Sequence, residues 1–401
     1  MRADEGRERA GVRAEEPVTI LTVAREAGVS KTTASDALRG SGRVSERTRE
    51  AVAQVAERLG YVPNGSARHL RKASTGTIGL HVPEVLTRSS YYMSFVFGVV
   101  EQAARHDYDV TLITSGQRRS RPPRVDGLVL GDPLSGDPVV ESLMATGLPT
   151  VSCERFPGSR QADGVVWSEH ASMLGRLLDH LRESGASRPA LIVAGDESDW
   201  AASVHRGYLE WCAAHGVVPL VRRVSFDASG DEVRAAARAL LDAAGGSDRG
   251  TERGDTRSTG QSAAGRAEQG DGRPSERGAE RGDGRAVSRG AGQGTDEGAA
   301  VLGRGGGGPL DALVCAPAGA ATEVAPLLRE AGVNVLLASC VDSAATRQSD
   351  PPITAIDLRP KEAGASCAEL LFELLSGAAP VGTERVHPIE LSIRASTRPR
   401  P

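Results

Sequence analysis

Apolar residues recur at helical spacing three times near the start of the chain. Ile20, Val23, Ala24 and Ala27 share one helix face, and Gly28 ends that helix because glycine readily takes the left-handed turn. Ser30 is a natural N-cap for a second helix that runs to about Leu38. Ser45 caps a third, with Val52, Val55, Ala56 and Leu59 on one side and Gly60 as its stop. Two short helices joined by a tight Gly-containing turn and braced by a third predict a helix-turn-helix unit.

From Thr77 the pattern changes to short apolar runs alternating with amphipathic stretches. Strands are predicted at 78–82, 110–113, 126–130, 149–152, 190–194 and 220–224, and again at 310–314, 333–338 and 353–356. Helices are predicted at 92–105, 138–146, 171–183, 201–215, 231–243, 320–331 and 361–376. This alternation predicts parallel sheets covered by helices, arranged as two similar α/β subdomains with chain crossovers between them.

Two stretches break the pattern. Residues 1–16 are charged and lack apolar periodicity, as expected of a disordered leader. Residues 245–309 are mostly Gly, Arg, Ser, Asp and Glu, with ten arginines against ten acids. Such a segment buries too little apolar surface to offset its ordering entropy, so a disordered insertion is expected there.

Composition adds bounds. The 401 residues suffice for two or three domains, and the net charge of −4 carries no overall basic signature. The charge is local. From Val18 to Lys72 ten basic residues face five acids, an excess of five positive charges, which is the footprint of a nucleic-acid reader. Five cysteines with no C-x-x-C pair argue against a disulfide framework and fit a reducing cytoplasm. Neither a secretory signal nor a membrane-spanning run is read, which makes a cytoplasmic location the expectation. No phosphate-cradling G-x-x-x-x-G-K-[ST], no H-E-x-x-H and no metal-ligand spacing occurs, so no enzyme, cofactor or metal site is expected.

The early stretch resembles the DNA-binding headpiece of the LacI/GalR family of bacterial transcriptional regulators. The matching residues are Val23-Ala24-Arg25-Glu26-Ala27-Gly28-Val29-Ser30, Gly42-Arg43-Val44-Ser45, Thr48-Arg49 and Leu59-Gly60-Tyr61-Val62-Pro63-Asn64. Further likeness lies in Thr77-Ile78-Gly79, Arg124-Val125-Asp126-Gly127, Gly147-Leu148-Pro149, Pro351-Pro352-Ile353-Thr354 and the terminal Glu390 to Thr397. The resemblance implies an N-terminal all-α helix-turn-helix headpiece followed by an α/β two-lobed periplasmic-binding-protein-like core. Its parts are a DNA-binding domain at 17–62, a hinge segment at 63–74 and an effector and dimerisation core at 75–398, interrupted by 245–309.

A helix-turn-helix sets its second helix in the major groove. The candidate DNA contacts are Thr19, Ser30, Lys31, Thr32, Thr33, Ser35, Asp36 and Arg43, continuing into Asn64, Ala67, Arg68 and Leu70 of the hinge. The family usually reads Val-Ser-Arg where this chain reads Ala34-Ser35-Asp36. Asp36 either accepts from a cytosine amino group or pairs with a neighbour such as Arg39. The resemblance makes Leu70 a minor-groove wedge, a role that a lone large apolar residue flanked by Arg68, Arg71 and Lys72 suits; packing on the next domain is the other reading.

Two facing lobes make a cleft at the carboxyl ends of their strands. Candidate effector contacts there are Ser89, Tyr91, Tyr92, Arg155 (in Glu154-Arg155), Trp200 and Asp342. Two departures weaken a carbohydrate reading: the family's cleft Arg is Val204 here, and its paired acids are reduced to Asp342. The sequence thus points to a homodimeric, sequence-specific regulator of transcription, a repressor by its resemblance, which binds operator DNA and a small-molecule effector. The alternative is a small-molecule-binding module with weak or lost specific DNA binding.

Overall fold

The computed structural model describes residues 18–61, 74–83, 90–115, 121–195, 197–245 and 309–398. The expected leader, hinge residues 63–73 (Asn64, Ala67, Arg68 and Leu70 among them), Ser89 and insertion residues 246–308 lie outside them. The chain divides into two compact units, Met1–Gly76 and Thr77–Pro401.

The first unit holds α1 (Ile20–Glu26), α2 (Lys31–Arg39) and α3 (Glu46–Arg58). Each starts on a hydroxyl cap, as the sequence predicts for the second and third. Thr33 N donates to Ser30 Oγ (3.0 Å) and Thr48 N to Ser45 Oγ (3.3 Å), and Thr19 and Thr22 form a reciprocal capping box. Val23, Ala24, Ala34, Ala37, Val52 and Ala56 form the buried centre. The small Ala34 and Ala37 let α2 lie close against its neighbours.

The second unit has two lobes, each built on a six-stranded sheet. The first lobe contains β1 (Thr77–His81), α4 (Ser90–Arg105), β2 (Asp109–Ile113), β3 (Gly127–Gly131), α5 (Pro138–Met144), β4 (Thr150–Cys153) and β5 (Gly164–Trp167). The second contains α6 (His170–Glu183), β6 (Pro189–Ala194), α7 (Asp199–His215), β7 (Val221–Val224), α8 (Gly230–Gly245), β8 (Ala312–Cys315), α9 (Ala320–Glu330), β9 (Leu336–Ser339), α10 (Ala344–Gln348) and β10 (Thr354–Asp357). The chain then returns. α11 (Pro360–Ser376) packs on α4, and β11 (Thr383–Val386) adds to the first sheet beside β5. β12 (Glu390–Ser392) closes the second sheet antiparallel to β10. The sheet orders are β11-β5-β4-β3-β1-β2 and β12-β10-β9-β8-β6-β7.

The predicted strands and helices all form, with ends shifted by a few residues. β5, β11, β12 and α10 were not predicted. β5 is a short run, Gly-Val-Val-Trp, and β11 reads Thr-Glu-Arg-Val, whose exposure alternates at a sheet edge. The apolar run of β5 is only four residues long, and β11 has none, so neither carries a clear strand signal.

The return of α11 depends on two glycines. A Cβ on Gly98 would lie 1.9 Å from Lys361 O, and one on Gly364 would lie 2.2 Å from Phe95 O. The two backbones therefore nearly touch, and any side chain at either position would force them apart. Gly364→Ala is expected to destabilise the protein by about 2 kcal/mol or more. Gly175→Ala, in open space on α6, is expected to change little or to stabilise by about 0.5–1 kcal/mol. Urea denaturation of the two variants checks the contrast.

Candidate functional site

Two candidate sites sit in separate units. In the first, α2 exposes Lys31 and Thr32, while Thr33, Ser35 and Asp36 are half-buried and Arg43 is exposed beyond the turn. Gly40 ends α2 in the left-handed conformation, at φ 67°. The hydroxyls of Thr19 and Ser30 are occupied as caps. Arg39 Nη2 donates to Asp36 Oδ1 (2.6 Å) and its Nε to Ser35 O (3.0 Å), so the neighbour pairing open to Asp36 is formed. The outward charge of this surface comes from Arg25, Lys31, Arg39, Arg43 and Arg47.

In the second unit a cleft with about 820 Å³ of empty space, counting its open mouth, lies between the lobes. Its lining follows the strand ends. Asp132 follows β3, Glu154 follows β4, Ala194 ends β6, and Phe226, Asp227 and Ala228 follow β7. Pro317 and Ala318 follow β8, Val341 follows β9 and Leu358 follows β10. Parallel strands all end on one side, so every loop of this kind faces the same space. Tyr91 and Tyr92 on α4 and Trp200 on α7 complete the wall.

Asp132 and Glu154 have left-handed backbones, φ 49° and 65°, rare for residues with side chains. Each is fixed by a backbone bond to the next strand: Asp132 N donates to Cys153 O (3.0 Å) and Glu154 N to Val166 O (2.8 Å). This turns both carboxyls inward. Tyr92 Oη donates to Asp132 Oδ2 (3.0 Å), whereas Asp132 Oδ1 is buried with no partner among the described residues. Trp200 Nε1 is likewise buried and unpartnered. The cleft thus presents one unmet acceptor and one unmet donor. His170 Nε2 lies 2.9 Å from Glu154 Oε1, close enough to pair in charge but off the line of a hydrogen bond.

Burial pushes the Asp132 carboxyl up to about 7, with Glu154 adding to the rise and the Tyr92 hydroxyl opposing it. Burial likewise lifts the Tyr92 hydroxyl. For His170 burial works to lower the value, but the adjoining Glu154 carboxyl wins and raises it. Burial and Glu154 also raise Asp199, at the start of α7, against the Arg155 charge and backbone N–H. Ser135 N donating to Glu197 O (2.8 Å) ties the two lobes at the cleft edge.

Of the sequence-predicted effector contacts, Tyr91, Tyr92 and Trp200 line the cleft. The Arg155 side chain turns to Glu384 (2.8 Å) and lies 3.9 Å above the Trp167 ring. Asp342 accepts from Arg394 Nη1 and Nη2 (2.8 Å each), Arg347 and Thr346, and stands in an ion-pair network beneath the cleft wall. Burial would raise its carboxyl, yet the Arg394 bonds win and hold it below the usual range. Sequence reasoning missed Asp132, Phe226 and Leu358. A lone acid directly after the apolar run Leu128–Val129–Leu130 was a usable signal for Asp132; Phe226 and Leu358 carried none. Tyr208 Oη donates to Pro189 O (2.7 Å) and accepts from Leu220 N (2.9 Å), so that ring is structural. Among the described residues no cluster of metal-ligating side chains occurs, and no helix is long and apolar enough to cross a membrane.

A helix-turn-helix unit joined in sequence to a two-lobed, cleft-bearing α/β unit defines a class of ligand-responsive DNA-binding proteins. Three family descriptions match the chain. "Bacterial regulatory proteins, lacI family" covers residues 19–64, "Periplasmic binding proteins and sugar binding domain of LacI family" covers 75–243, and "Periplasmic binding protein-like domain" covers 178–397. The chain belongs to the LacI family of bacterial regulatory proteins.

Relatives include the transcriptional regulator CelR of Thermobifida fusca, 34% identical over 56% of this chain and 70% of that protein. The transcriptional regulator RafR of Escherichia coli is 30% identical over 52% of this chain, and the match spans 65% of RafR. Catabolite control protein A of Priestia megaterium is 31% identical over 37% of this chain and 47% of that protein. The chain thus spans less than two thirds of the latter two. Among solved structures, the Lac repressor dimer bound to operator and an anti-inducer superposes with a TM-score of 0.65 at 19% identity, covering 96% of this chain and all of that one. A CelR–cellobiose complex superposes at 0.58 and 23%, covering 94% and 99%. Both likenesses show a shared fold.

The raised Asp132 value implies a pH effect on stability. The folded chain keeps a proton there that the unfolded chain releases above about pH 4, so this contribution is fully present below about pH 4 and is lost progressively as pH rises from there through about 7. His170, also raised, acts in the same direction. Asp132→Asn is therefore expected to stabilise the protein most at about pH 8, by a few kcal/mol, less at about pH 5, and little below about pH 4. Thermal unfolding across that range reads the difference.

Proposed function

We propose that this protein is a sequence-specific DNA-binding regulator of transcription, acting as a repressor, whose cleft takes a small-molecule effector that modulates operator binding. The observation that carries the reading is the cleft itself. Asp132 Oδ1 and Trp200 Nε1 are unmet polar groups inside an aromatic-walled space, and such groups are costly unless a ligand or ordered water meets them. The capped α2, with exposed Lys31 and Thr32 at its N-terminal end, supplies the groove-reading surface. Leu70 is proposed as the minor-groove wedge, and Asn64, Ala67 and Arg68 as its flanking contacts. The named targets of relatives, such as the operator of the Lac repressor and the cellobiose bound to CelR, support the pair of roles.

A homodimer fits this reading. Met93, Phe97 and Val100 lie on one face of α4 and are exposed, an apolar stripe that a second copy would cover. Two headpieces would then read two half-sites of a near-palindromic operator. The effector would act by altering the angle between lobes that Ser135–Glu197 now bridges.

Selection of bound sequences from a random DNA pool, followed by gel shift, tests the function. The expected result is one recurring palindromic site, bound in a salt-dependent manner. Leu70→Ala is expected to weaken that site by about 1–3 kcal/mol while sparing nonspecific binding. Recovery of no preferred sequence would leave the alternative, a binding module without specific DNA recognition. Asp36→Ala separates the two readings of that residue: a changed base preference at one half-site position supports base contact, and an unchanged preference supports a positioning role for Arg39.

A further inference from the structure

We propose that the effector is a small organic cation, a protonated amine or quaternary ammonium on a compact skeleton, held among the aromatic rings of the cleft with its charge against Asp132. The inference rests on the effector reading above and narrows it to a ligand class.

The cleft is built of acceptors and rings. Tyr91, Tyr92, Trp200 and Phe226 line it, together with the acids Asp132 and Glu154. Among the described residues lining it, none is Lys, Arg or His. Val204 on α7 is apolar and buried in the second lobe's core. Arg155 is drawn off to Glu384 and the Trp167 ring. A cation over aromatic faces gains from their negative quadrupoles, most when water is excluded. Anionic or phosphorylated ligands would meet carboxyls without a lining counter-charge.

Asp132 supplies the independent sign of a missing partner. It is 7% exposed, its Oδ2 is met by Tyr92 and its Oδ1 by none of the described residues. Glu154 already faces His170. A neutral hydroxyl can bond to Oδ1 in either form of the carboxyl but balances no charge; an ammonium N–H bonds to the ionised form and balances its charge as well. Burial keeps Asp132 near half-protonated around pH 7, so a bound cation would draw it to its ionised form and release a proton. The groups that face it are Tyr92 from α4, Glu154 beyond β4, His170 from α6 and Asp199 from α7. As pH rises, Asp132 and Asp199 gain negative charge and His170 loses positive charge. All three changes favour a cation.

Calorimetric titration of the full chain, without DNA, compares probes matched in shape. Choline is set against its neutral isostere 3,3-dimethylbutanol, and glucosamine against glucose. At least one ammonium probe is expected to bind about ten-fold or more tightly than its neutral match. Its affinity should rise about ten-fold from pH 6 to pH 8, with proton release detected as a dependence on buffer ionisation heat. Asp132→Asn should abolish the charge preference and most of the pH dependence. Asparagine tolerates the left-handed backbone there, and a cooperative unfolding transition no lower in temperature than that of the parent at pH 5 verifies folding. Tyr92→Phe, a second variant, should move the pH midpoint upward. Equal or tighter binding of the neutral probes overturns the proposal, as does absence of ammonium binding up to about 0.1 M. Operator affinity is measured separately. Ammonium binding without an effect on DNA keeps the ligand class and removes the effector role, whereas a neutral ligand that shifts DNA affinity does the reverse.

Discussion

The near-contact of two helix backbones at Gly98 and Gly364 is the constraint on which the core rests. It lets α11, from the far end of the sequence, lie in the first lobe and cover the sheet that the early strands begin. Without it the return crossing would have no seat, and β11 would not reach the edge beside β5. Each lobe therefore contains chain from both halves of the sequence. A change in the angle between lobes bends three crossing strands of chain rather than breaking a surface.

The same arrangement concentrates function. Because strands in both sheets run parallel, with β12 as the antiparallel edge, the residues just past their carboxyl ends meet in one cleft. The left-handed backbones of Asp132 and Glu154 turn acids into a space lined by rings, a local cost that the surrounding sheet supports. The cost is also electrostatic, since Asp132 is buried with one oxygen unmet. A site with this much unrelieved polarity is suited to a ligand that completes it.

The first unit works by a different economy of structure. Short helices with hydroxyl caps and a small apolar centre leave most side chains outside, and several of the outermost are cationic. Asp36 is the exception on the reading face, and Arg39 holds it through a bond of 2.6 Å. That pair sets a positive charge beside the one acid of α2.

Much was legible in the sequence because it is written locally. Helix caps at Ser30 and Ser45, apolar spacing on α3, and the alternation of strands with helices each follow from residues within a turn or two of one another. Tyr91, Tyr92 and Trp200 could be placed by the rule that ligands gather past strand ends. The edge strands β11 and β12 could not, because their pairing partners lie far away in sequence and their own patterns are weak. Nor could the fates of Arg155 and Asp342. Both look like cleft residues by position, yet Glu384 and Arg394, brought near by the last crossings, compete for their charges and turn them away. Asp132 gained its importance the same way: burial and the approach of Glu154, Tyr92 and His170 set its proton affinity, and only the folded chain assembles them.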